Sequence, residues 1–254
     1  MSPPVLLAHR GWASRYPENS RVGIEAALRA GVPCVEFDVQ LSADHVPVVI
    51  HDTSLERTAG HPGRVSSLTI AELAAISVHE PARFGTRFAG EPLPTLADIV
   101  VLLQDWPQVR AFVEIKRESA EAHGVDETVA LVAEVLAPVL ERCVVISFVE
   151  RAVMAARRLG AGATGWILNY YDEDSRRLAD AIAPDYLICD HRKFPAAPAA
   201  LWSGPWRWGS YEITDIEHAL GLVARNIQVI ESMAAGDLAT DPRLNSGCRS
   251  ENPA

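Results

Sequence analysis

A chain of 254 residues with 48% hydrophobic content can build one large domain with a substantial core, a length common among single α/β barrels. Its formal net charge of −10 argues against non-specific nucleic-acid binding, because phosphate backbones are held by clustered Lys and Arg; any phosphate it binds must meet locally positive chemistry. Met1-Ser2-Pro3-Pro4 leads straight into a short apolar run without a basic region, which predicts neither a signal peptide nor an integral membrane segment and makes the cytoplasm the expected location.

Short apolar runs alternate with longer helical patterns, the arrangement of a parallel sheet covered by helices. Val5 to His9 is the first strand. Asn19 or Ser20 caps a helix over Val22 to Ala30, which Gly31 ends. Cys34 to Leu41 is the second strand, and after a turn at Ser42-Ala43-Asp44-His45 the chain runs back as Val46 to Ile50. A connection this short cannot make a parallel crossover, so an antiparallel hairpin is expected. Thr53 to Pro94 reads as irregular, with one helical patch around Thr69 to Ile76, and so long a loop is usually functional, such as a lid. A helix capped at Thr95 runs to Trp106.

Further strands follow at Ala111 to Lys116, Val144 to Phe148, Thr164 to Leu168, Asp185 to Cys189, Trp206 to Tyr211 and Ile227 to Glu231. Helices are expected over Val125 to Glu141, Glu150 to Leu159, Asp174 to Ile182 and Asp215 to Ala224. Leaving out the hairpin return, the strands suffice for a closed (β/α)8 TIM barrel with a short insertion after the hairpin, its functional groups standing at the C-terminal strand ends. Residues 1–239 are expected to form the barrel domain, with 53–94 as the insertion, and the tail 240–254 to fray. Cys34, Cys143, Cys189 and Cys248 show no Cys-x-x-Cys spacing and are read as thiols, mostly buried.

The second strand alternates Cys34, Glu36, Asp38 and Gln40 with Val35, Phe37 and Val39. The next barrel strand sets Glu114 and Lys116 against Val113 and Ile115. In a barrel the apolar set packs on the helices, so the polar set points into the mouth. Three buried carboxylates are costly unless a cation neutralises them, and oxygen ligands at Glu36, Asp38 and Glu114 suit Mg²⁺ or Ca²⁺ better than Zn²⁺. The plainer alternative, a structural pair between Lys116 and one carboxylate, leaves two acids unexplained. His9, at the end of the first strand, and His51, at the end of the hairpin, point to the same mouth as an acid and base pair. Arg10 and Lys116 add positive charge for a phosphate, and Gly11 permits close backbone approach. Together these residues describe phosphodiester hydrolysis.

The blocks His9-Arg10-Gly11, Pro17-Glu18-Asn19, Glu36-Phe37-Asp38, Pro47 to Asp52, Pro94-Thr95-Leu96, Glu114-Ile115-Lys116 and Ser147-Phe148 occur in the order found in the glycerophosphodiester phosphodiesterase family, of the phospholipase C-like phosphodiesterase superfamily, which the chain resembles over its first 150 residues or so. That resemblance implies a TIM barrel needing a divalent metal, which cleaves glycerophosphodiesters to an alcohol and glycerol phosphate. It also implies metal ligation by Glu36, Asp38 and Glu114, acid and base roles for His9 and His51, and phosphate contacts from Arg10 and Lys116. The nucleophile is left open between water and the glycerol 2-hydroxyl.

Glu18 is read as a contact to substrate or the histidines, or as helix N-terminal stabilisation. Asn19 is taken as a cap, Asp52 as orienting His51 or only closing the hairpin, with the latter preferred, and Asp190 and His191 as surface residues. The family's Trp-Thr-Val-Asn and Thr-Asp are replaced here by Trp208-Gly209-Ser210-Tyr211 and Glu231-Ser232, which bears on substrate preference; Trp208 or Tyr211 is a candidate for stacking on the substrate. Thr240-Asp241 lies beyond the last apolar run and is taken as a decoy. The rival readings are a lysophospholipase D-like enzyme and a degenerate barrel that binds a phosphorylated ligand without turnover.

Overall fold

The computed structural model describes residues 4–244. Its strands are β1 (Val5–Ala8), β2 (Cys34–Leu41), β3 (Pro47–Val49), β4 (Arg110–Ile115), β5 (Cys143–Ser147), β6 (Ala163–Ile167), β7 (Tyr186–Asp190), β8 (Arg207–Tyr211) and β9 (Ile227–Ser232). All but β3 run parallel in the order β1-β9-β8-β7-β6-β5-β4-β2, and a β1–β2 pairing closes the ring. The closed eight-strand parallel barrel is thus the expected (β/α)8 fold. β3 is the antiparallel return of the hairpin, with Val39 opposite Val49.

Helices α1 (Arg21–Arg29), α2 (Glu56–Ala59), α3 (Ile70–Leu73), α4 (Pro81–Phe84), α5 (Leu96–Gln104), α6 (Arg117–His123), α7 (Val125–Leu136), α8 (Glu150–Arg158), α9 (Glu173–Ile182), α10 (Ile216–Ala224) and α11 (Ala235–Leu238) complete the described elements. Local chemistry starts the longer ones where expected: Ser20 accepts from Gly23 N–H at α1, Thr95 forms a capping box with Asp98 at α5, and Asp215 accepts from His218 N–H at α10. Helix α7 stops at Leu136, short of the expected Glu141, just ahead of Pro138, which has no N–H to donate back into the helix.

Two apolar layers follow from strand alternation. Leu7, Cys34, Phe112, Val144, Ile146, Ile167, Tyr186, Ile188 and Val229 fill the barrel, while a larger set including Val35, Phe37, Val113, Val145 and Leu187 packs under the helices. Inside the barrel Phe112 and Tyr186 meet edge to face, ring centroids 5.1 Å apart.

Two expectations are corrected. Residues 53–94 are less irregular than expected: α3 falls in the expected helical patch, and with α2, α4 and a 3-10 turn (Val65–Ser67) it surrounds a small core of Val48, Ile50, Leu55, Val65, Leu73, Val78 and Leu93. These apolar residues come in bursts too short for a helical or strand period to register. The tail does not fray from residue 240, since Leu244 is 1% exposed and packs in the outer core; the remainder of that expectation, with Cys248, lies outside the described residues. Cys34, Cys143 and Cys189 are buried, as expected. Among the described residues no helix is long and apolar enough to cross a membrane.

Candidate active site

Parallel register brings the polar side chains to one level at the C-terminal end of the barrel. Asp38 on β2 lies opposite Glu114 on β4, and Ala8 lies beside Val35 on one flank and Ser232 on the other. The next residue, His9, therefore emerges between Glu36 and Glu231. Its Nε2 is 3.3 Å from Glu231 Oε1 and 4.0 Å from Glu36 Oε2.

The turn after β1 is built for close approach. Arg10 (φ 55°) and Gly11 (φ 77°) are both left-handed, and a Cβ on Gly11 would come within 2.7 Å of Gly23 C and Ile24 N at the start of α1, so glycine is required there. This turn aims the Arg10 backbone N–H at Glu36 Oε2 (2.9 Å), while its guanidinium meets Glu18 (3.0 Å) and Asp38 (3.3 Å).

Asp38 is tightly held. Asn19 Nδ2 donates to its Oδ2 (2.8 Å), and the Asp38 N–H donates back to Asn19 Oδ1 (3.0 Å). Lys116 Nζ lies 3.3 Å from Asp38 and 2.8 Å from Glu114. Asn19 therefore positions Asp38, and the cap of α1 is Ser20, which corrects the expectation for Asn19. Lys116 meets two carboxylates rather than the single partner of the plainer alternative.

Electrostatics separate the acids. Burial pushes Asp38 up, but Lys116 and Arg10 outweigh it and hold its carboxyl well below the usual range. Burial raises Glu36 well above its ordinary value, helped by Asp38 and Glu231, and raises Glu114 against the pull of Lys116. Burial, then the Glu114 carboxylate, lifts Glu231 to about 8. Burial and the neighbouring Arg10 lower His9 to about 3.

Oxygens of Glu36, Asp38 and Glu114 lie within 4.8 Å of one another, and Glu36 Oε1 is buried without a hydrogen-bond partner. A hard divalent cation fits this donor set, because it would satisfy that oxygen and let the raised carboxyls ionise.

A pH effect follows for the metal-free protein. The Glu231 contribution to stability is complete below its ordinary value of 4.5 and is lost as pH rises through about 8, with Glu36 acting in the same direction. His9 opposes this below 6.5, since its lowered value contributes stability that is lost only as pH falls from 6.5 toward 3. Between about pH 6.5 and 8 only the carboxyl loss operates, so the melting temperature of metal-free protein is expected to fall across that window, and saturating Mg²⁺ or Ca²⁺ to reverse the fall. A melting temperature that is flat or rising there would contradict the assigned shifts.

His51 stands at the end of the hairpin, near enough to Asp38, Glu114 and His9 to influence their ionisation. Its Nδ1 is 2.7 Å from Asp52 Oδ1, and Asp52 is held well below its usual range, first by that bond and also by Arg57. Asp52 thus orients His51, the less preferred of the two readings of that residue. Arg57, on α2, bridges Asp52 (2.6 Å) and both oxygens of Glu18 (2.6 and 2.8 Å). Glu18 joins Arg10 to Arg57 and lies ahead of α1 rather than in its first turn. Buried Glu80 accepts from the Glu18 N–H (2.6 Å) and from Arg83 (2.7 Å), so the insertion braces the loop between β1 and α1. Neither Arg57 nor Glu80 carried a sequence signal, because both lie in the stretch read as irregular.

The far strand ends divide. Tyr211 caps the inner barrel layer; burial, then the nearby Asp190 carboxyl, pushes its hydroxyl up. Trp208 points outward and packs among Tyr171, Phe194, Trp202 and Trp206, so it does not reach the mouth. Asp190 is buried rather than a surface residue, gripped by Arg192 (2.6 Å). Asp241 is engaged by Arg243 (2.7 Å), consistent with its reading as a decoy. Glu231 is the missed partner of His9; its signal was an acid on the last inward-facing position of β9.

Fold and site together define a (β/α)8-barrel protein whose mouth gathers carboxylates, two histidines and two cations. Residues 9–189 match the model of the glycerophosphoryl diester phosphodiesterase family, and the chain belongs to that family. A glycerophosphodiester phosphodiesterase of Caldanaerobacter subterraneus is 34% identical over 123 residues, covering 48% of this chain and 49% of the relative. A probable glycerophosphodiester phosphodiesterase 1 of Mycobacterium tuberculosis is 33% identical over 165 residues, covering 61% and 60%. The matches thus span about half to three-fifths of these curated relatives. Among solved structures, an Oleispira antarctica phosphodiesterase in complex with the product sn-glycerol-3-phosphate has a TM-score of 0.81 at 23% identity, covering 94% of this chain and 96% of the other. One from Silicibacter pomeroyi has a TM-score of 0.80 at 20% identity, covering 94% and 93%.

Proposed function

We propose that the protein is a phosphoric diester hydrolase that cleaves glycerophosphodiesters to an alcohol and sn-glycerol 3-phosphate, assisted by one divalent cation, Mg²⁺ or Ca²⁺. The observation that carries this reading is the convergence of His9, Arg10, Glu36, Asp38, Glu114 and Lys116 at one barrel mouth with His51 alongside. Family membership supports it, as does the product held by the Oleispira antarctica neighbour.

Glu36, Asp38 and Glu114 would hold the cation, which when bound supplies charge neutralisation to the phosphate oxygens. Arg10 and Lys116 add fixed positive charge on the same side. His9, kept neutral by burial and by Arg10, takes the proton from the nucleophile, with Glu231 fixing its ring. His51, backed by the Asp52 carboxylate, carries a proton to the leaving alcohol. Trapping a cyclic phosphate, or following ¹⁸O from water into the first-formed product, distinguishes water from the glycerol 2-hydroxyl as nucleophile.

We also propose a cytoplasmic setting, which the buried free thiols of Cys143 and Cys189 support. The test is a panel of glycerophosphodiesters and lysophospholipids assayed with Mg²⁺ and with Ca²⁺. Release of glycerol phosphate from the diesters is expected; release of lysophosphatidic acid with no action on the diesters would favour the lysophospholipase D-like reading, and no turnover of either class would overturn hydrolysis.

A further inference from the structure

On the side of the mouth away from the carboxylates, two cations converge on one neutral residue. Arg117 Nη2 donates to Asn169 Oδ1 (3.1 Å), and Lys193 Nζ donates to the Asn169 backbone oxygen (2.9 Å). Both cations are exposed, and among the described residues neither forms an ion pair. The Arg117 guanidinium lies 6.0 Å from the centre of the Phe148 ring, and Phe148 packs on the inner barrel layer. Arg117 therefore reaches from the end of β4 over the end of β5 to the end of β6, above the barrel interior rather than down its outside. Lys193 arrives from the turn after β7. The neighbouring Arg192 is already matched by Asp190 and Glu212, which leaves Arg117 and Lys193 as uncompensated charge in a chain of net −10.

Two like charges brought to a shared acceptor repel each other, and an anion between them relieves that cost. We propose that Arg117 and Lys193, spaced by Asn169 above Phe148, form a subsite for an anionic group on the alcohol portion of the diester. This rests on the phosphodiesterase reading and names the substrate class within it. A phosphate held by Arg10 on the β1–β2 side leaves the remainder of the substrate to extend toward β5–β7. Glycerol is uncharged, so the cations serve the alcohol, and the class selected carries a carboxylate or phosphate there rather than an ammonium.

The test uses three glycerophosphodiesters whose alcohols are 3-hydroxypropionate, 1-propanol and choline, assayed with divalent cation at low ionic strength. Wild type is expected to favour the anionic over the cationic diester by about 10-fold in kcat/KM, a size typical of two partly exposed charge contacts, and the preference is expected to shrink in high salt. Arg117→Gln combined with Lys193→Gln is expected to erase the preference while leaving the propanol diester within about 2-fold of wild type. Turnover of the propanol diester reports the phosphodiesterase reading by itself, and if it fails the same preference is read as a ratio of calorimetric Kd values. Equal treatment of the three diesters by wild type, or a preference that survives the double substitution, would overturn the subsite.

Discussion

His51→Ala is expected to lower kcat on a glycerophosphodiester by about 10²–10⁴-fold, the usual contribution of a positioned acid or base, with little change in melting temperature. The His51 side chain is about one-third exposed (32%), so its removal leaves no buried cavity. Its backbone oxygen still accepts from Gln40 Nε2 (2.8 Å), which keeps the end of the hairpin in place. Arg57 still bridges Asp52 and Glu18. His9→Ala is expected to cost a similar factor in kcat but also some stability, because His9 is buried and faces Glu231. Steady-state kinetics with a thermal melt separate the two effects. Turnover near wild type in both variants would remove the acid and base roles.

Removal of divalent cations is expected to reduce turnover by at least about 10³-fold, since the metal would neutralise charge that develops at the phosphate. The companion variant is Glu36→Gln. Glu36 is raised well above its ordinary value, by burial first and then by Asp38 and Glu231, so the metal-free site favours its neutral form, which an amide imitates. The amide therefore costs the metal-free fold little. It does remove an ionisable ligand, so the rise in melting temperature produced by Mg²⁺ or Ca²⁺ is expected to shrink or vanish. Full activity in chelator-treated wild type would remove the role of the metal in turnover, and an undiminished metal-induced rise in Glu36→Gln would exclude this carboxylate as a ligand.

The barrel strands were legible because most are short apolar runs, and β2 and β4 alternate polar with apolar residues. β2 falls on Cys34–Leu41 as expected, and its inward set of Glu36 and Asp38 meets Glu114 as the alternation requires. The helices with an apolar stripe and a capping residue were also legible, such as α5 after Thr95. Helix α6 was missed because Arg-Glu-Ser-Ala-Glu-Ala-His has no apolar stripe. The insertion was misread because its core is assembled from scattered residues whose contacts are tertiary.

The seven residues singled out for chemistry lie on strands or just beyond strand and hairpin ends, where local pattern predicts direction. The residues that brace them do not share that property. Asn19 was recognised as polar and near a helix start, but its left-handed backbone (φ 55°) and its bonds to Asp38 depend on the fold. Arg57 reaches Glu18 only because α2 folds back over the mouth. Trp208 and Tyr211 were equally plausible contacts from composition, and only strand register sends one outward and the other toward the mouth.

The most direct test follows wild-type protein and glycerophosphoglycerol, whose alcohol is uncharged, by ³¹P NMR with Mg²⁺ or Ca²⁺. The account predicts that the diester resonance is replaced by that of glycerol phosphate, that chelator stops the conversion, and that added cation restores it. A diester resonance that persists with either cation, or conversion that continues undiminished in chelator, would contradict it.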